Sequence, residues 1–278
     1  LRLADCTAEA PRLTISVTRL EQLSPALLEL GCPARVYIPL EEVSRLESLP
    51  GEGPEWCAVL PRVWRDRDEP ALRTLLERAR ALGFTGVLIG NLGHLPLVRG
   101  LNFHLYGDYG LNVFNSRSLA YLKDKELESA CVSFELRFAQ IRDLKKVLRA
   151  EAIVYGRLPL MITENCLVQN ETGCRLDRQG PCVPEDGPCR CGQPNVLVDR
   201  TGAAFPLLPA YGHRTEIQNS KPLYLADRPE HRRLGLAYAR LRFTTETAEE
   251  CVSVVQNYLD AAPAAGDFTR GLYERGVE

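Results

Sequence analysis

The chain has 278 residues, a net charge of −2, 45% hydrophobic residues and 25% charged residues. These values are ordinary for a soluble globular protein of one large α/β domain or two small ones, and they give no bulk electrostatic reason to expect nucleic-acid binding. No apolar run reaches membrane-spanning length and no signal peptide is visible.

Residues 1–12 read as a leader or linker. Residues 13–17 form a short strand, 24–30 a helix stopped by Gly31, and 35–39 the next strand. A third strand covers 56–61. Residues 70–82 are a clear amphipathic helix, with Leu72, Leu75, Leu76, Ala79 and Leu82 on one side and Gly83 closing it. Strands follow at 86–91, 102–108 and 129–134, interleaved with helices at 94–99, 116–123 and 138–148. A seventh strand opens at Ile153 and is read as running on to Met161. Weak β patterns cover 196–200 and 204–207. A helical piece at 229–235, an eighth strand at 238–244 and a last helix at 248–259 complete the chain. Eight strands alternating with helices predict an α/β fold, a TIM-like (β/α)8 barrel, with a doubly wound sheet as the alternative. In a barrel the carboxyl ends of the strands line one mouth. Those ends carry Arg62, Asn91, Asp108, Glu135, Arg157 and Thr245.

Five of the ten cysteines, Cys166, Cys174, Cys182, Cys189 and Cys191, fall within one stretch after the seventh strand. Gly, Pro, Asp, Arg and Gln fill the spaces between them, so this stretch has little apolar surface to bury. Disulfides or a metal must then hold it. Cys32, Cys57, Cys131 and Cys251 lie in apolar or periodic surroundings and read as buried thiols, which favours a reducing cytoplasm and a metal-binding insert. Three thiolates and an imidazole, from Cys166, Cys174, Cys191 and His213, make a closed structural zinc site, with Cys189 and Cys182 as alternate ligands. Cys166, Cys174, Cys182 and Cys191 offer a [4Fe-4S] cluster instead. The expected domains are a leader at 1–12, seven βα units at 13–165, the cysteine-rich insert at 166–220 and the end of the barrel at 221–278.

Gly107-Asp108-Tyr109-Gly110-Leu111-Asn112-Val113-Phe114-Asn115-Ser116 resembles a strand-to-helix segment of the collagenase-like peptidases, the U-32 peptidase family. So do Tyr155-Gly156-Arg157-Leu158-Pro159-Leu160-Met161 with Thr163-Glu164-Asn165-Cys166, Asp199-Arg200-Thr201-Gly202 with Phe205-Pro206, and Gln218-Asn219-Ser220-Lys221-Pro222-Leu223-Tyr224-Leu225. The likeness spans nearly the whole chain and is strongest to the C-terminal half of long bacterial members, which would make the N-terminal half of the same longer chain a partner. It implies a TIM-like barrel with a cysteine-bearing insert. It also implies either peptidase activity or, as in other members, oxygen-independent hydroxylation of RNA bases or ring substrates on a four-iron cluster. The chain departs from the family where Tyr155-Gly156-Arg157-Leu158-Pro159 replaces a His-Gly-Ala-x-Cys pattern, so the first cluster cysteine is absent.

No Cys–His nucleophile pair and no His-Glu-x-x-His helix is visible. Asp108, Asn115, Glu135, Arg157 and Glu164 are the candidate catalytic residues. Arg62, Asn91 and Arg137 are the candidate substrate-binding residues, and Arg62, Arg137 and Arg157 together suit a small dianion. The run from Arg137 to Arg149, with Lys145 and Lys146, reads as a basic helix facing RNA or solvent. A third reading is a non-catalytic, zinc-braced barrel that docks on the N-terminal half. The expected location is the cytoplasm, away from membranes.

Overall fold

A computed structural model describes residues 10–31, 33–172 and 190–276. Seven parallel strands come first: β1 (Arg12–Ser16), β2 (Arg35–Pro39), β3 (Glu55–Val59), β4 (Gly86–Ile89), β5 (His104–Gly107), β6 (Ser129–Cys131) and β7 (Arg149–Gly156). The chain then leaves the barrel for β8 (Pro159–Thr163), β9 (Asn195–Val198), β10 (Ala204–Ala210) and β11 (Arg214–Gln218). It returns through β12 (Leu223–Tyr224), which lies antiparallel on the end of β7, and enters β13 (Tyr238–Arg242). β13 pairs in parallel with both β7 and β1, and β6 pairs with β7, so eight parallel strands close on themselves. That closure excludes the doubly wound alternative.

The helices are α1 (Pro25–Gly31), α2 (Leu40–Val43), α3 (Glu69–Ala81), α4 (His94–Val98), α5 (Ser116–Asp124), α6 (Phe138–Asp143), α7 (Leu167–Thr172) and α8 (Ala248–Leu259). Their starts follow local chemistry. Asn115 accepts hydrogen bonds from the Arg117 and Ser118 amides at the head of α5, and Thr247 and Glu250 form a reciprocal capping box at the head of α8. The apolar stripes of α1, α3, α5 and α8, carrying Leu27, Leu72, Leu76, Leu119 and Val255, share one core with the outward strand residues Ile15, Val36, Ile38, Ala58 and Val87.

Side chains of period two on each strand point the other way, into the barrel. There the small cluster of Tyr37, Cys57, Leu88 and Tyr106 stands apart from the main core. Gly86 is glycine because a Cβ would meet the Cys57 sulfur at 2.5 Å.

Two expected elements differ. The strand expected to run from Ile153 to Met161 is two strands in two sheets. It breaks at Gly156, whose φ is +116°. A side chain there would strike the Arg242 carbonyl oxygen, 2.0 Å from the Cβ position. The expected helix over 138–148 stops at Asp143, because Leu144 turns extended with ψ 129°. Lys146 Nζ then donates to the carbonyls of Ile141 at 2.6 Å and Leu144 at 3.2 Å, and Arg149 already belongs to β7. The continuous basic helix therefore does not form.

β8, β11, β10 and β9, in that order, make a four-stranded antiparallel sheet over the carboxyl end of the barrel. Its two inner strands reach the mouth with Ala210 and Glu216. Among the described residues, no helix is long and apolar enough to cross a membrane.

Candidate functional site

β13 sets the heights inside the barrel. Its sequence Tyr238-Ala239-Arg240-Leu241-Arg242 alternates, so Tyr238, Arg240 and Arg242 face inward at three successive levels. At the lowest level Arg35 is 3% exposed and donates to Glu55 at 2.9 Å, to the Ser129 hydroxyl at 2.9 Å and to the Tyr238 hydroxyl at 3.0 Å. Its guanidinium also stacks between Tyr106 and Tyr238, 3.6 and 4.2 Å from the ring centres.

At the middle level Arg240 pairs with Glu151 and with Asp108. Glu151 also accepts from the Thr14 and Tyr37 hydroxyls, at 2.5 and 3.2 Å. Arg240 and Glu151 are each 1% exposed, so this level is a buried and fully partnered ion pair.

The upper level is the mouth. A cavity of about 150 Å³ opens there, lined by Arg62, Asp108, Tyr109, Arg240 and Arg242 from the barrel. Arg62 and Arg242 converge on one carboxylate, that of Glu216 on β11. Arg62 reaches Oε1 at 3.1 Å and Arg242 reaches Oε2 at 3.0 Å. The Tyr109 ring lies beside both guanidiniums, and burial pushes its hydroxyl up to about 12. Glu41, at the head of α2, lines the same cavity. Burial raises its carboxyl from the usual range to about 7, helped by neighbouring Glu42. A carboxyl with that pKa exchanges its proton near neutral pH, which suits acid–base work.

The residues expected at the mouth divide into three groups. Arg62 and Asp108 line the cavity. Asp108 also accepts from the Tyr109 amide at 2.8 Å, which starts the turn that carries Tyr109. A second group positions backbone. Asn91 donates to the Arg62 carbonyl at 3.0 Å, and Arg157 donates to the Asn219 carbonyl at 3.1 Å while its own carbonyl accepts from Arg242 at 2.6 Å. The third group sits elsewhere. Asn115 is spent on its helix cap, and Arg137 is exposed beside the Gly276 backbone. Glu135 follows the buried Ser133 in the turn before α6. Glu164 is exposed and pairs with Arg65 at 3.2 Å and Arg214 at 3.0 Å, and the Arg214 hydrogen bond lowers its carboxyl.

Of the proposed metal ligands, Cys166 is a buried free thiol and His213 occupies the left-handed turn between β10 and β11 at φ 59°. Cys191 is not among the free thiols of the described residues. Cys174, Cys182 and Cys189 lie outside the described residues. The described residues bring together no three His, Cys, Asp or Glu side chains in a metal-holding group, so they do not by themselves fit an ion.

Sequence reasoning missed Arg240, Arg242, Glu151, Glu216, Glu41 and Tyr109. The first three carried a signal, a charged residue at an inward position of an otherwise buried strand. Glu216 carried none, because β11 was not recognised as a strand.

Fold and mouth together define a closed parallel α/β barrel whose polar upper end is covered by a small antiparallel sheet. The profile of peptidase family U32 matches residues 49–195, more than half of the chain. The chain belongs to peptidase family U32. Among solved structures it is similar to the U32 peptidase Mk0906, at 9% identity over 89% of this chain and 98% of that one, with a TM-score of 0.46. It is also similar to the spore cortex-lytic enzyme SleL of Bacillus cereus, at 6% identity over 90% and 75% of the two chains, TM-score 0.39. A third is ribulose-1,5-bisphosphate carboxylase/oxygenase of Pyrococcus horikoshii OT3, at 8% identity over 92% and 59%, TM-score 0.40. No curated protein matches the chain.

Proposed function

We propose that the barrel mouth takes a small carboxylate-bearing molecule and that Glu41 moves a proton on it. The observation that carries this reading is the convergence of Arg62 and Arg242 on a single carboxylate at the cavity. Forked guanidinium pairs are the usual protein answer to a carboxylate or phosphate. Glu41, with a pKa near 7, faces the same space and supplies a group that both holds and releases a proton at neutral pH.

Among the activities that the resemblance implies, this chemistry fits hydroxylation of a small carboxylate-bearing ring substrate better than it fits an RNA base or peptide cleavage. An extended polypeptide needs a long groove, whereas this cavity, which Ile162, Ala210, Tyr211 and Glu216 line from the covering sheet, has only about 150 Å³. The remaining proposal concerns the insert: a structural zinc on Cys166, Cys174, Cys191 and His213, with a four-iron cluster as the alternative, either of which requires the Cys191 disulfide to be reduced first. None of the steps assigned to Glu41, Arg62 and Arg242 depends on it.

Thermal-shift titration of the full chain with small mono- and dicarboxylates tests the mouth. Stabilisation that disappears in Arg62→Ala and Arg242→Ala supports the reading; equal responses in all three proteins contradict it. Mass spectrometry of RNA bases and of small ring metabolites from a deletion strain then tests the substrate class: a missing hydroxylated ring metabolite is the expected result, and a missing hydroxylated base points to RNA instead. Metal analysis of anaerobically purified protein separates one zinc per chain from a four-iron cluster.

A further inference from the structure

The mouth cavity, at about 150 Å³, is smaller than the few hundred Å³ of an ordinary ligand site. The groups that would grip an anion are nevertheless in place. The Arg242 side chain is only 8% exposed, and its other acceptors are the Arg157 carbonyl at 2.6 Å and the Gln218 side chain at 2.8 Å. Among the described residues, neither Arg62 nor Arg242 has an ion pair with any carboxylate other than that of Glu216. That carboxylate does not belong to the barrel. It arrives on β11, from the sheet that covers the mouth, and each of its oxygens meets a different arginine.

We propose that Glu216 is an internal stand-in for the ligand's carboxylate, which the covering sheet inserts between Arg62 and Arg242 and which an incoming carboxylate must displace. The proposal rests on the reading of the mouth as an anion site. Its physical basis is charge balance. Once Glu216 withdraws, the buried Arg242 guanidinium and the partly exposed Arg62 guanidinium lose their only bonded anion, and the cost of leaving them so is recovered when a ligand supplies one. Apart from Tyr211, which packs on the barrel core, the other ties noted between sheet and barrel are polar. Arg214 donates to the Val63 carbonyl at 3.5 Å, and an exposed pair joins Arg65 to Glu164 at 3.2 Å. Polar attachments of this kind permit relative motion better than a large apolar interface does.

The test is calorimetric titration of the full chain with succinate, in the wild type and in Glu216→Gln, with hydrogen exchange of residues 214–218 followed in parallel. Gln keeps the side chain's shape while removing the competing charge. Succinate is expected to bind Glu216→Gln roughly tenfold or more tightly than the wild type. In the wild type, saturating succinate is expected to speed amide exchange along β11. Binding with equal affinity in both proteins, or greater protection of β11 on binding, overturns the stand-in while leaving the anion site intact. Failure of both proteins to bind succinate overturns the anion site as well. Should Glu216→Gln fail to fold, the wild-type exchange measurement alone decides between displacement and none.

Discussion

The two upper arginine–carboxylate clusters of this barrel lie one above the other, and they are finished differently. In the middle cluster Arg240, Glu151, Asp108, Thr14 and Tyr37 all come from the barrel strands or their ends, and every group has a partner within the ring. In the upper cluster the barrel supplies Arg62, Arg242 and Tyr109, but the carboxylate comes from outside it, on β11. The contrast teaches that buried charge alone does not mark a functional site. A network complete within its own scaffold braces the scaffold. A network that the scaffold leaves short of one anion is built to receive one.

The largest expected effect breaks the middle cluster. Glu151→Ala leaves Arg240 with Asp108 alone and strands the Thr14 and Tyr37 hydroxyls. It should cost about 3–5 kcal/mol in denaturant unfolding. A loss below about 1 kcal/mol would show that the middle level is no brace.

Next comes the pH dependence of Glu41. Its carboxyl is raised by burial from 4.5 to about 7 in the folded chain. The folded state thus favours the protonated acid, and the stability it contributes is fully present below pH 4.5. That stability is lost as pH rises toward 7 and stays lost above it. Glu41→Gln removes the dependence, so the variant should gain on the order of 2 kcal/mol relative to the wild type between pH 4.5 and pH 7. Parallel stability curves for the two proteins across this window would contradict the assignment, as would a carboxyl carbon that titrates near 4.5 by NMR.

Arg62→Ala sharpens the comparison in the other direction. The arginine is partly exposed, so its stability loss should stay near 1 kcal/mol. Carboxylate affinity should nonetheless fall about tenfold in the same titration. The smallest effect belongs to Asn91→Ala. It removes one hydrogen bond, to the Arg62 carbonyl, and should lower stability by about 1 kcal/mol while weakening carboxylate binding less than Arg62→Ala does.

Much of the barrel was legible because its helices bury one stripe and its strands are short and evenly spaced. The amphipathic run of Leu72, Leu76 and Ala79 and the capping pair Thr247 and Glu250 each give local instructions that the fold obeys. What stayed hidden depended on closure. Strand β7 begins at Arg149 rather than Ile153 because it must pair with β6 and β13, a constraint that no local pattern carries. Gly156 splits a mostly apolar run because the Arg242 carbonyl crowds it from the neighbouring strand β13. Arg62 and Asp108 were recoverable from their places at strand ends. Glu216 was not, since its role arises only when a strand 154 residues later in the chain folds back over Arg62.

The most direct measurement is a crystal structure of Glu216→Gln grown with succinate. The account predicts one succinate carboxylate between Arg62 and Arg242, with each guanidinium on a different oxygen. Succinate bound away from these arginines, or a mouth that stays empty at saturating concentration, would contradict it.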